Sequence, residues 1–265
     1  MWCLSRGKRI KLYNTNITVE PYKDRRLSGG KTYMKHAVLT IDDIGSKNTP
    51  AIVDYLCEKK IPAIMFAWGQ RVEEYYENAL YAVKNGIIVG NHSYSHPFFS
   101  KLTMEEAIAE IEKNEAILDK LYQDAGVERV YHPFRFPYGD KGGDNKDALQ
   151  EYFRTHGFHK VKDTQIPYAF WKDMGLDKDI DTFWTYDFEE YLIRPDSGVT
   201  FEDILKRTRE VDPVLGKSLL SDEDGSHLII IHAHDETEEL VPGYFRKLID
   251  LLIDNGFVFD PPEFI

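Results

Sequence analysis

The apolar positions of this chain fall into short continuous runs, and the stretches between them carry apolar residues at helical spacing. The continuous runs are His36–Ile41 (HAVLTI), Ile61–Ala67 (IPAIMFA), Ile87–Gly90, Tyr131–Phe136, Thr182–Tyr186, His227–His232 and Phe257–Phe259. Each is rich in strand formers and bounded by turn residues, so each predicts a strand. Between them, Thr49-Pro50 opens a helix with Ala51, Ile52, Tyr55 and Leu56 on one face. Val72–Lys84 is a second helix, closed by Gly86. Thr103 and Glu106 form a capping box ahead of a long face of Met104, Ala107, Ile108, Ile111, Leu118 and Leu121. Lys146–Thr155, Phe201–Arg209 and Pro242–Ile253 complete the helices. Strands that are apolar throughout, rather than alternating, are buried on both faces, which is the mark of a parallel sheet. The alternation of strand and helix therefore predicts a doubly wound sheet or a β/α barrel. No repeat or linker divides the chain, so residues 36–265 read as one domain and 1–35 as an N-terminal extension. Val161 to Ile180 is the least periodic segment and reads as a long loop, of the kind that often covers a site.

Composition narrows the partners. A formal net charge of −12 gives no general field to attract phosphates, so neither nucleic acid nor an anionic membrane is an expected partner. No run of about 18 apolar residues is present to span a bilayer. The basic stretch Met1–Lys11 lacks the apolar core of a signal peptide, so the chain as given reads as cytoplasmic, or as secreted if a leader was removed. Two cysteines, Cys3 and Cys57, make no disulfide framework.

In parallel α/β folds the working residues stand at the C-terminal ends of the strands. There this chain carries Asp42-Asp43, His92-Ser93-Tyr94-Ser95-His96, Arg135-Phe136-Pro137-Tyr138, Asp187 with Glu190-Tyr191, and His232-Ala233-His234-Asp235. Singly, each has a structural reading: paired Asp as turn residues, two histidines as surface residues. Together they place acid, imidazole and guanidinium on one rim. One carboxylate and two histidines leave a divalent metal the open position that catalysis needs. A second carboxylate can take a proton from water, and a histidine opposite can protonate a leaving group.

These residues resemble the polysaccharide deacetylases of the NodB-homology type, carbohydrate esterase family 4, whose five motifs have counterparts in order from Thr40 to His232. They are Thr40-Ile41-Asp42-Asp43, His92 to His96, Arg135-Phe136-Pro137-Tyr138, Asp187-Phe188-Glu189-Glu190-Tyr191 and Leu228 to His232. The fourth departs, with Glu190-Tyr191 where the family has Asp-Trp. The resemblance implies a deformed, seven-stranded parallel β/α barrel and hydrolysis of an N- or O-acetyl group on a sugar or polysaccharide. It implies that Asp43, His92 and His96 hold a divalent metal, zinc first, with cobalt or another transition metal as alternatives. Asp42 is then the general base beside Arg135, and Tyr138 offers its backbone N–H to the oxyanion. His232 is the general acid, supported by Glu190 or by Asp187. Tyr168 and Trp171, in the irregular segment, are the preferred groove residues among the aromatics between Tyr168 and Tyr191. Two other readings stand beside this one: a small-molecule amidohydrolase on the same scaffold, and a catalytically silent carbohydrate-binding protein.

Overall fold

The computed structural model describes residues 33–221 and 223–265 in full and the backbone of two short strands before them. Those strands, β1 (Trp2–Ser5) and β2 (Lys8–Lys11), pair antiparallel with each other. The main sheet contains β3 (Lys35–Ile44), β4 (Ala63–Ala67), β5 (Ile88–Asn91), β6 (Tyr186–Asp187), β7 (Gly225–His232) and β8 (Phe257–Phe259). Its order is β5-β4-β3-β7-β6, with β8 on β3, and every pairing is parallel. Around it lie α1 (Thr49–Lys59), α2 (Gly69–Glu74), α3 (Tyr76–Lys84), α4 (Met104–Ala125), α5 (Lys146–Thr155), α6 (Ala169–Asp173), α7 (Phe201–Arg207), α8 (Asp235–Leu240) and α9 (Tyr244–Asp254).

The central strands are as apolar and as buried as the pattern requires: Leu39, Ile41, Ile64, Met65, Phe66, Ile229 and Ile231 are fully covered. The capping box of Thr103 and Glu106 forms, and α4 lays Ala107, Ile111, Leu118 and Leu121 inward. A second, smaller core of Phe99, Phe134, Phe136, Leu149 and Phe153 sits beside it.

Three expectations are corrected. Tyr131–Phe136 is not a strand; it contributes one bridge, Asn91 to Phe134. Pro133 and Pro137 have no N–H to give a ladder, so extended pairing cannot run through them. Among the described residues the regular sheet thus has six strands rather than the seven expected, and isolated backbone hydrogen bonds link its two edges. Arg135 N donates to Asn91 O at 2.9 Å, Thr182 N to Phe134 O at 2.7 Å and Thr185 N to Leu228 O at 2.8 Å. The expected strand Thr182–Tyr186 is likewise reduced to Tyr186–Asp187. The Arg135 side chain spans the gap, with Nε on Thr182 O at 3.0 Å. Second, Val72–Lys84 is two helices, broken at Tyr75, whose φ of −119° and ψ of 48° are not helical. Third, Val161 to Ile180 does not cover the site. Ile166, Tyr168, Trp171 and Leu176 bury themselves in the core. Trp171 Nε1 donates to Asp163 at 2.8 Å, and the Tyr168 hydroxyl meets His227 near the start of β7, at the opposite end from the strand C-termini.

Candidate active site

A cleft of about 510 Å³ opens at the C-terminal ends of the strands, lined among others by Asp42, Asp43, His92, His96, Tyr138, Asp187 and His232. Asp42 and Asp43 would point to opposite faces of a regular strand. They do not, because β3 shifts register against β4 between Ile41 and Ile44 and Asp43 takes a φ of 61°. This local bulge turns both carboxylates toward one cavity. Ser93, His96, Tyr138 and Glu189 also have positive φ. Left-handed backbone at non-glycine residues costs energy and clusters at functional sites, and all five of these residues come from the predicted motifs; the sixth among the described residues, Lys60, caps the end of α1.

The loop carrying the two histidines is pinned from α4. Glu110 accepts from Tyr94 N at 3.1 Å and Ser95 N at 2.7 Å. Asn91 accepts from Ser93 N at 2.7 Å and from the Asn114 amide at 2.8 Å. His92 Nδ1 lies 2.8 Å from the carbonyl of Arg135, which can only accept. That fixes the proton on Nδ1 and leaves Nε2 a bare lone pair facing the cavity.

There Nε2 of His92 lies 3.6 Å from Asp43 Oδ1, Nε2 of His96 lies 3.3 Å from the same oxygen, and the two nitrogens are 3.3 Å apart. Asp43 Oδ1 is buried with no hydrogen-bond donor. Three electron-pair donors turned on one another, with an orphaned carboxylate oxygen among them, suit a cation. Ligands at about 2.0–2.1 Å in a tetrahedron lie roughly 3.3–3.4 Å apart, close to the separations here. Burial pushes His96 down to about 4, against the pull of Asp43, which keeps it neutral as a ligand has to be. Burial works against ionising Asp43, yet the hydrogen bond from His234 and the surrounding imidazoles hold it well below the usual carboxylate range.

Asp42 sits beside this group, its Oδ2 3.4 Å from His92 Nε2. Its other oxygen accepts from Arg135 Nη1 at 2.7 Å, and the same nitrogen reaches Thr40 Oγ1 at 2.8 Å. Arg135 is fully buried, so this pair is both aimed and shielded from water. Across the cleft, His232 Nδ1 faces Glu190 Oε1 at 3.4 Å, and Glu190 also accepts from His232 N. Asp187 has an acceptor atom within 4.8 Å of both. Burial opposes a charged His232, but Asp187 and Glu190 together drive its pKa up. Asp187 is itself raised by burial and by Glu190. Both acids proposed as partners of His232 are therefore at hand. Tyr138 lies at the rim, exposed, with its ring edge-on to His96 at 4.6 Å.

All nine site residues expected from the sequence converge on this cleft or pair with a residue that lines it. Tyr168 and Trp171 do not; the aromatic wall is Trp68, Tyr138, Trp184 and Tyr191. Trp68 stands just past the end of β4, a strand end whose chemistry is aromatic rather than ionisable. Arg71 and Arg194 also line the cleft and were not foreseen. His234, expected at this rim without a role of its own, touches Asp43 through Nε2 at 2.8 Å.

The parallel β/α architecture gathers these acids and imidazoles at the C-terminal ends of its strands. The chain belongs to the polysaccharide deacetylase family, whose model matches residues 29–161. Over 88 residues it is 38% identical to the peptidoglycan-N-acetylmuramic acid deacetylase PdaC of Bacillus subtilis, a match covering 33% of this chain and 19% of that protein. The chain thus spans about a fifth of the length of that relative. The Bc1960 peptidoglycan N-acetylglucosamine deacetylase shares the fold, with a TM-score of 0.56 at 24% identity over 86% of this chain and 87% of that one. So does BA3943 of Bacillus anthracis, a family 4 carbohydrate esterase pseudoenzyme, with a TM-score of 0.55 at 19% identity over 84% of this chain and 63% of that one. No helix among the described residues is long and apolar enough to cross a membrane.

Proposed function

We propose that this protein removes acetyl groups from a sugar or polysaccharide with the help of a divalent ion held by Asp43, His92 and His96. The observation that carries the reading is the triangle of Asp43 Oδ1 and the two Nε2 atoms at 3.3–3.6 Å, flanked by Asp42 on one side and His232 on the other. Asp43, His92 and His96 would hold a zinc-type ion there, which when bound would supply Lewis acidity to water and to the acetyl carbonyl. Asp42 takes the proton of the attacking water, held ionised and oriented by Arg135. The backbone N–H of Tyr138 donates to the oxyanion of the tetrahedral intermediate. His232, kept protonated by Glu190 and Asp187, gives its proton to the departing amine or hydroxyl as the C–N or C–O bond breaks. Trp68, Trp184 and Tyr191 present ring faces and edges on which a sugar can pack.

Acetate release from a panel of N- and O-acetylated glycans, with metal content measured on the same preparation, tests this. The expected result is acetate from at least one glycan, about one divalent ion per chain, and loss of both in Asp43→Ala. Catalytic silence across the panel with the ion bound would leave a binding protein instead.

A further inference from the structure

Asp43 has two carboxylate oxygens, and only Oδ1 faces His92 and His96. Its Oδ2 lies 2.8 Å from Nε2 of His234. The other nitrogen of that ring, Nδ1, lies 3.4 Å from Arg194 Nη2. A guanidinium only donates, so this contact makes Nδ1 the acceptor and leaves the ring proton on Nε2, aimed at Asp43. Arg194 is in turn held by an ion pair with Glu236.

The two loops that meet here are tied together by the residue after His234. Asp235 accepts from Lys47 N at 3.1 Å and from Asn48 N at 3.0 Å, which binds the segment after β3 to the segment after β7. The Tyr244 hydroxyl, at 3.1 Å from His234 N, fixes the backbone from α9. With one oxygen occupied by a donor, Asp43 is held with its strained backbone and offers a single oxygen to the cavity. The arrangement also explains the sequence His232-Ala233-His234. Residues two apart at the end of a strand share a face, so both imidazoles turn to the cleft, while Ala233 is fully buried behind them.

We infer that His234 is a positioning residue for the metal ligand Asp43, fixing it as a one-oxygen ligand through Nε2–H, and that it does not serve as a second general acid. This rests on the metal-site reading above. Partners outside the ligand set of this kind typically change metal affinity by about 10–100-fold when removed.

The test is zinc affinity, read by competition with a chromophoric chelator on the purified full chain, with thermal unfolding of the metal-free form as the control. His234→Ala is expected to weaken zinc binding by roughly 10–100-fold. His234→Gln, which restores an N–H donor on a flexible stem, should recover part of that loss. His234→Phe keeps the ring volume without the donor and repeats the measurement should the Ala variant fold poorly. Wild-type affinity in both the Ala and Phe variants overturns the inference. Asp43→Ala measured alongside separates the two readings: if it still binds zinc as the wild type does, the ligand set itself is wrong. If it loses zinc while the His234 variants keep it, only the role of His234 falls.

Discussion

Two clusters face each other across the cleft, and each brings acids and imidazole within 4.8 Å. One has two histidines and one acid, Asp43, His92 and His96. The other has one histidine and two acids, Asp187, Glu190 and His232. Burial presses on both, yet with opposite outcomes. In the first, burial prevails over the charges of Asp43 and Asp42, and His96 stays neutral at ordinary pH with its pKa near 4. In the second, two carboxylates serve one ring, their summed charge overcomes burial, and His232 is held protonated. A neutral imidazole is a ligand, and a protonated one is an acid. In the proposed mechanism, this contrast of burial against nearby carboxylate charge would place metal binding on one wall and proton delivery on the other.

The strongest way to break this contrast is to remove a ligand from the first cluster. Asp43→Ala or His92→Ala should abolish both stoichiometric zinc and acetate release, whereas Glu190→Gln should leave the zinc content unchanged. Metal analysis of the three proteins decides it, and loss of zinc in Glu190→Gln would mean that both walls hold metal. Next in size is Asp42→Asn. It keeps the ion but removes the base, so turnover should fall about 10²–10⁴-fold, and unchanged turnover with zinc present would sink the role of Asp42.

The second cluster is sharpened by a pH–rate profile. An acid that works protonated loses activity as pH rises through its pKa, and a carboxylate that raises that pKa extends activity to higher pH. Glu190→Gln should therefore move the basic limb to lower pH. Asp187→Asn should move it the same way and less, since Glu190 meets His232 twice, at Nδ1 at 3.4 Å and at its backbone N. A limb moved only by Asp187→Asn reverses the assignment.

The smallest effect comes from a third histidine, which isolates burial. His227 is buried, the hydrogen-bond partners of its ring among the described residues are the hydroxyls of Tyr168 and Thr185, and burial, assisted by Lys217 and Lys35, pushes it down to about 3. The folded state keeps it neutral while the unfolded chain takes a proton below about pH 6.5. Its contribution to stability is thus complete above pH 6.5 and is lost as pH falls toward 3. Urea midpoints measured across that range should decline toward acid, and His227→Gln should flatten the decline. The slope will not vanish, because His96 and His159 are depressed in the same direction.

Much of this was legible along the chain. Continuous apolar runs such as Leu228–Ile231 can only be buried on both faces, and the strand ends then tell where chemistry lies. What misled was composition read as pattern. Tyr131–Phe136 has the aromatics of a strand, but Pro133 within it and Pro137 just after it leave one bridge. The aromatics at Tyr168 and Trp171 lie in an aperiodic segment, but each has a polar partner inside the core, so each satisfies its hydroxyl or indole without solvent. Family membership does not carry activity by itself, since a pseudoenzyme shares this fold.

By itself the sequence determined the alternation of strand and helix, the parallel sheet, and the set of ionisable groups delivered to its C-terminal rim, because these follow from periodicity and from the direction of each strand. Only the tertiary structure decided the surroundings of those groups. Whether Asp43 turns beside Asp42 depends on a bulge, whether His92 is a bare ligand depends on the carbonyl of Arg135, and whether His232 keeps a proton depends on two acids folded in from elsewhere in the chain. Proton affinity and ligand geometry are set by neighbours within a few ångströms, and those neighbours are remote in sequence.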